Sequence, residues 1–338
     1  MDTLTHALSG ALLARATAPK ESPPGSLPRR VAAGFLACAA PDLDFVSYFS
    51  GPVAFIENHR GVTHSLLMAP LWALPISWLL AKMLREPRGA RALYGVTAMA
   101  IALHIAADLI TTYGTMILAP LSDWRATIGT TFIIDLWFSG IIVAGLAFSA
   151  IMRRSRWPAV AGCALLAGYV GFQYLEKDKA IAFGERYARE QGVRDATVNV
   201  QPRPVSPFNW TVFVSDAEAH RFAHVNLVRE APRAYREGDG FIALLDSAYE
   251  PLASAHWEAR RRYGGDAEKA LAQEAWNSAA MGVYRWFAEL PAYDGRSAGS
   301  TCVWFVDLRF STPGRGSQPF RYGACRDAAG SPWRLVPP

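Results

Sequence analysis

The sequence predicts a mainly α-helical fold: a multi-helix transmembrane bundle followed by a small α+β soluble domain. Two observations carry this. Hydrophobic residues make up 51% of the 338, against 19% charged, whereas a soluble globular chain carries roughly 25% charged residues. The excess is also uneven, because long uncharged stretches end near residue 175 and charged residues are frequent afterwards. The domain boundaries expected are therefore 1–175, the membrane domain, and 176–338, the extramembrane domain. The net charge of +5 resides in short loops between apolar segments, so it reads as a topology signal and excludes a nucleic-acid face.

A membrane span needs about 20 apolar residues. Residues 61–81, 92–107, 136–152 and 157–175 meet or approach that length without Asp, Glu, Lys or Arg. Segments 3–16 and 31–46 are shorter and complete a set of six. "MDTLTHALSGALLARATA" lacks a basic leader, and His6 and Ser9 interrupt it, so it reads as a retained helix. "PKESPPGSLP" (19–28) reads as a Pro-rich loop. Three basic loops (Arg15 to Arg30, Lys82 to Arg91, Arg153 to Arg156) belong on the cytoplasmic side, which puts loops 47–62 and 112–131 and everything after about 176 outside. "EKDKAIAFGERYAREQGV" reads as an amphipathic helix leading away from the membrane. "ATVNVQPRPVSPFNWTVFVSD", "RFAHVNLV", "GFIALLD", "STCVWFVDLRFS" and "FRYGACRD" read as strands, and "DAEKALAQEAWNSAAMGVYRWFAEL" as a helix.

Several residues do not belong in an apolar bundle. They are His6, Asp42 and Asp44 in "PDLDF", His59, Arg60 and His64 in "HRGVTHSLL", His104 and Asp108 in "HIAAD", and Asp135 in "IIDLW". On the orientation above all fall in one outer layer. Ionisable groups in lipid are costly and point to function. His104 and Asp108 are four apart and share a helix face. Asp42 and Asp44 are two apart, so one can ligate while the other orients a histidine. His59 and His64 need a turn between them, which Gly61 allows, and Thr63 is placed to cap the next helix. Imidazole with carboxylate and no CxxC suits a water-accessible catalytic metal. The metal set is His6, Asp42, His64, His104 and Asp108, holding one or two divalent ions, zinc first and manganese or iron as alternatives. The catalytic set is His59, Arg60 and Asp44, with Arg60 a candidate anion clamp. Arg125 and Asp135 are substrate-binding candidates, although Arg125 also reads as an ordinary loop residue and Asp135 as a helix cap. Cys38 and Cys163 read as small hydrophobes. Cys302 and Cys325 can pair only on an oxidising side. His220, His224 and His256 read as surface or core.

In order, "DTLTHALSGALLA", "PDLDF", "HRGVTHSLL", "HIAADLITTYGT" with "LAPLSDWR", and "IIDLW" resemble the YbcI/YdjM-like membrane-bound metal-dependent hydrolase family over about residues 1–150. The resemblance implies a bacterial inner-membrane, multi-pass protein with metal-dependent hydrolase activity. "PFNWTVFV" and "VWFVDLRF" look like the C-terminal extension of longer members. The order of the polar residues is more distantly similar to zinc-dependent phospholipase C-like enzymes, for which His6, Asp42, His64, His104 and Asp108 would be ligands. The expected activity is hydrolysis of a phosphoester or ester in a lipid or envelope molecule, with the bilayer as partner. The alternative is a transporter or ion-binding membrane protein, which would require a polar path across the whole bilayer.

Overall fold

The computed structural model describes residues 1–20, 23–297, 301–313, 318–328 and 330–337. Ser300, at the start of one expected strand, and residues 21–22 of the Pro-rich loop lie outside them. Among the described residues, ten helices and nine strands follow in the order predicted by composition, helices first and the sheet-bearing region after. The chain divides into two compact units, Met1–Gly51 with Asn58–Tyr174, and Leu175–Pro338 with Pro52–Glu57.

The first unit is built from α1 (Thr3–Ala16), α2 (Ser26–Ala39), α4 (Ala69–Met83), α5 (Ala90–Leu109), α6 (Leu136–Ile151) and the first part of α7 (Trp157–Glu190). The short helix α3 (Pro52–Asn58) stands between α2 and α4 in sequence. Asp2 caps α1 by accepting from the Thr5 N–H, and Asp135 caps α6 by accepting from Trp137 and Phe138. Gly10 and Gly34 let α1 and α2 touch backbone to backbone. A Cβ on Gly10 would lie 2.2 Å from the Gly34 carbonyl oxygen, and one on Gly34 would lie 2.5 Å from that of Gly10. Small residues at such crossings are how membrane helices approach closely. Gly34→Val should therefore cost about 3 kcal/mol or more by overpacking. It should also disturb the His104 site, because His104 bonds the backbone one turn further along α2. Thermal unfolding in detergent checks this, and an unchanged midpoint would contradict it.

The bundle core is small and apolar, with Ala14, Ala33, Ala37, Leu80, Leu93, Val96 and Ala100 packed together. Leu71, Leu74 and Leu79 of α4, Val143 and Phe148 of α6 and Leu165 of α7 remain exposed. That is the surface a lipid-facing helix presents. Contacts gather the basic loops at one end of the unit. Arg29 pairs with Glu86 at 2.8 Å, Arg15 donates to the Arg153 and Ser155 carbonyls, and Arg156 donates to that of Ala18.

Several expectations need correction. Among the described residues, three helical stretches are long and apolar enough to cross a bilayer, Ser26–Ser50, Ala90–Leu109 and Trp157–Glu190, with a fourth if the broken pair Pro52–His64 and Ala69–Met83 counts as one. Helices α1 and α6 have 14 and 16 residues. Residues 61–81 are not one helix, because the chain makes a single 3-10 turn at Val62–His64 and begins α4 only at Ala69, with Pro at the helix start. Thr63 caps nothing; Ser65 Oγ instead accepts from the Leu67 and Met68 N–H groups. Helix α2 starts at Ser26, inside the supposed Pro-rich loop, since a proline is tolerated in a first turn. Helix α7 is one continuous 34-residue helix, about 51 Å long, so the amphipathic segment after residue 175 is its extension.

In the second unit, β1 (Thr197–Pro202), β2 (Asn209–Ser215), β3 (Ala219–Asn226), β4 (Glu250–Pro251) and β5 (Trp257–Arg261) form one sheet. A second sheet has the order β6 (Pro291–Arg296), β7 (Thr301–Asp307), β8 (Arg321–Arg326), β9 (Arg334–Val336). "GFIALLD" is helix α8 (Phe241–Ser247), not a strand, since Ala and Leu favour a helix once Gly240 opens it. The expected long helix breaks at Ser278, whose ψ of 155° is extended, into α9 (Asp266–Asn277) and α10 (Gly282–Phe287) with a 3-10 turn between. Cys302 and Cys325 face each other in the β7–β8 register and are joined as a disulfide. His220 is buried between Ser215 Oγ and the Pro291 carbonyl, and His256 is exposed. Burial pushes His224 down to about 3, and its Nδ1 accepts from Thr211 Oγ1.

Candidate metal centre

Four elements bring the polar residues together. His6 stands on the second turn of α1, and Asp42 and Asp44 on the 3-10 segment Ala40–Ser50 that continues α2. His59, Arg60 and His64 occupy the irregular stretch before α4, and His104 and Asp108 the end of α5. His6, His64, His104 and Asp108 are completely buried.

His104 is fixed first. Its Nδ1 donates to the Cys38 carbonyl at 2.6 Å, which sets the tautomer and turns the Nε2 lone pair inward. That Nε2 is 2.9 Å from His64 Nε2, 3.4 Å from Asp108 Oδ2 and 3.5 Å from Asp42 Oδ1. His64 Nε2 lies 3.2 Å from Asp108 Oδ2 and 3.7 Å from Asp42 Oδ1. The His6 ring stacks on His104 at 3.7 Å, and its Nε2 is 3.1 Å from Asp108 Oδ1. Ligand atoms of His6, Asp42, His104 and Asp108 lie within 4.8 Å of one another, as do those of His6, Cys38 and His104. Metal–ligand bonds near 2.0–2.1 Å place tetrahedral ligands about 3.3 Å apart, so these spacings fit one coordination shell. His6 Nδ1 is buried without a hydrogen-bond partner among the described residues. His64 adjoins the four-residue set as a further donor.

Asp44 organises the second layer. Its carboxylate accepts from His59 Nδ1 at 2.8 Å, the Arg60 N–H at 3.0 Å and Thr63 Oγ1 at 2.8 Å, and lies 3.1 Å from His64 Nδ1. The turn that permits this differs from expectation. Arg60, with φ of +61°, takes the left-handed conformation, and Gly61 has φ of −90°. Gly61 is needed for room instead, since a Cβ there would sit 2.9 Å from the Asn58 carbonyl oxygen.

Arg60 is buried and already committed. Its Nη2 pairs with Asp108 Oδ1 at 2.8 Å and its Nη1 donates to Thr111 Oγ1 at 2.8 Å. It therefore neutralises a cluster carboxylate instead of waiting as an anion clamp. Arg125 donates to the Tyr113 and Gly114 carbonyls. Both guanidinium groups stack on Tyr113, at 5.0 and 4.7 Å. Asp135 is held as the α6 cap and also accepts from Tyr169 and Gln173, which is the structural reading open to it. Neither Arg125 nor Asp135 contacts the four-residue set among the described interactions.

Other participants carried little signal in the sequence. The Met1 amino group sits 2.5 Å from Asp108 Oδ1, and Thr3 Oγ1 donates to Asp42 at 2.6 Å. Cys38 is more than a small hydrophobe, because its carbonyl orients His104 and its sulfur lies beside the cluster.

Residues 1–180 match the family model described as YdjM inner membrane protein. The uncharacterized protein YfhP of Bacillus subtilis (strain 168) is 26% identical over 252 residues, covering 73% of this chain and 71% of that protein. No solved structure matches the chain. The matched region contains every helix and loop that builds the His/Asp cluster, and the chain belongs to the YdjM inner membrane protein family.

Proposed function

We propose that the chain is a multi-pass inner-membrane hydrolase, metal-dependent, that cleaves a phosphoester or ester bond in a lipid or envelope molecule. The observation that carries this reading is the convergence of two imidazoles and two carboxylates, His6, His104, Asp42 and Asp108, within one coordination-sized volume of an apolar bundle. His64 would be the next ligand. The set suits one or two divalent ions, zinc before manganese or iron. Such an ion, when bound, polarises a phosphoryl or carbonyl oxygen and acidifies a water. The chain's own residues do the rest. Asp44 sets His59 and His64, His59 is the group assigned to proton movement, and Arg60 holds Asp108 in place.

An amphiphilic substrate is supported by the surroundings of the carboxylates. Asp42 and Asp44 alternate with exposed Leu43, Phe45 and Val46, and Phe49 is 86% exposed. A polar reaction centre edged by apolar side chains suits a bond at the headgroup level of a lipid. The Cys302–Cys325 disulfide supports an extracytoplasmic second unit, since such bonds persist in oxidising compartments.

Detergent-purified protein should hydrolyse bis-p-nitrophenyl phosphate, a p-nitrophenyl ester or a short-chain phospholipid, with the rate abolished by a chelator and by His104→Ala. Rates equal in wild type and His104→Ala, or no hydrolysis of any of the three by metal-loaded wild type, would count against the proposal.

A further inference from the structure

Within the second unit, a pocket of about 210 Å³ is lined by Arg262, Tyr263, Trp276, Arg285, Ala288 and Pro291. The side chains of Arg262, Tyr263, Trp276 and Arg285 carry N–H or O–H donors, and no carboxylate is among the lining residues. Arg262, just after β5, makes no ion pair or side-chain hydrogen bond among the described residues, and its Nε is buried without a partner. Arg285, on α10, is anchored from behind, because its Nη1 donates to the Trp276 and Ser278 carbonyls at the end of α9. The Pro291 carbonyl is taken by His220 Nε2 at 2.9 Å, as the Trp276 carbonyl is by Arg285. Two guanidinium groups around one small space, with no acid to share, leave a positive field that an anion would relieve. Ligand pockets usually begin near ~300 Å³, so this one fits an anionic group better than a whole drug-sized molecule. Arginine's planar fork matches the oxygens of a phosphate, and the Trp276 and Tyr263 rings wall the space.

We propose that this pocket binds a phosphate group, carried by a lipid headgroup or free in solution. It shares no residue with the metal cluster and does not depend on the hydrolase reading. The test is calorimetric titration of the detergent-purified full chain with inorganic phosphate and, in parallel, with dihexanoyl phosphatidate. Wild type should show a saturable site below ~10 mM. Arg262→Gln should weaken it at least tenfold, and Arg262→Lys should fall between, with all three proteins melting alike. If phosphatidate binds more than tenfold tighter than phosphate, the ligand is a headgroup; equal affinities point to free phosphate. The proposal is overturned if Arg262→Gln and Arg262→Lys both titrate like wild type, or if neither probe binds wild type.

Discussion

Asp108→Ala should destabilise the membrane unit by about 3–5 kcal/mol, the range for removing one member of a buried ion pair. The carboxylate meets Arg60, the Met1 amino group and His6 through one oxygen, and approaches His64 and His104 with the other. Its removal strands a guanidinium that is itself only 3% exposed. Thermal unfolding in detergent would read the loss. Asp108→Leu combined with Arg60→Met should regain part of the stability, because both stranded charges go together. It should not regain metal. A melting midpoint for Asp108→Ala within a degree of wild type would show that the cluster carboxylate does not compensate Arg60.

Asp44→Ala should act on orientation. The substitution removes the acceptor for His59 Nδ1, the Arg60 N–H and Thr63 Oγ1 at once. Losing a residue that orients a metal ligand typically lowers metal affinity or activity 10–100-fold. The stranded donors should cost about 1–3 kcal/mol. Asp44→Asn keeps an acceptor oxygen and should retain more of both. A metal titration of the two variants separates these outcomes; equal affinity for wild type and Asp44→Ala would remove Asp44 from the organising layer.

The parts of the site legible in the sequence were those whose geometry is local. His104 and Asp108 share a helix face at a spacing of four, and both reach the cluster. Asp42 and Asp44 divide as their spacing allowed, one beside the metal-sized volume and one on His59 and His64. What escaped was non-local or carried by backbone. Cys38 contributes a carbonyl 66 residues away from His104, and Tyr113 matters as a surface on which two arginines stack. Arg60 looked like a free charge because its partner, Asp108, is 48 positions later. Its left-handed backbone was unreadable beside a glycine, the residue that ordinarily takes that conformation. The fold followed the same rule. Hydropathy located α5, α6 and the start of α7. It missed the break before α4, where uncharged residues continue without a helix, and it misread "GFIALLD", where a short apolar run suits either element.

The most direct measurement is elemental analysis of the protein purified in detergent without added metal, alongside His104→Ala and Asp42→Ala. Wild type should carry near-stoichiometric divalent transition metal, one or two ions per chain with zinc foremost, and either variant should carry little while remaining folded. Wild type free of transition metal, and unable to take up zinc, manganese or iron on titration, would contradict that expectation.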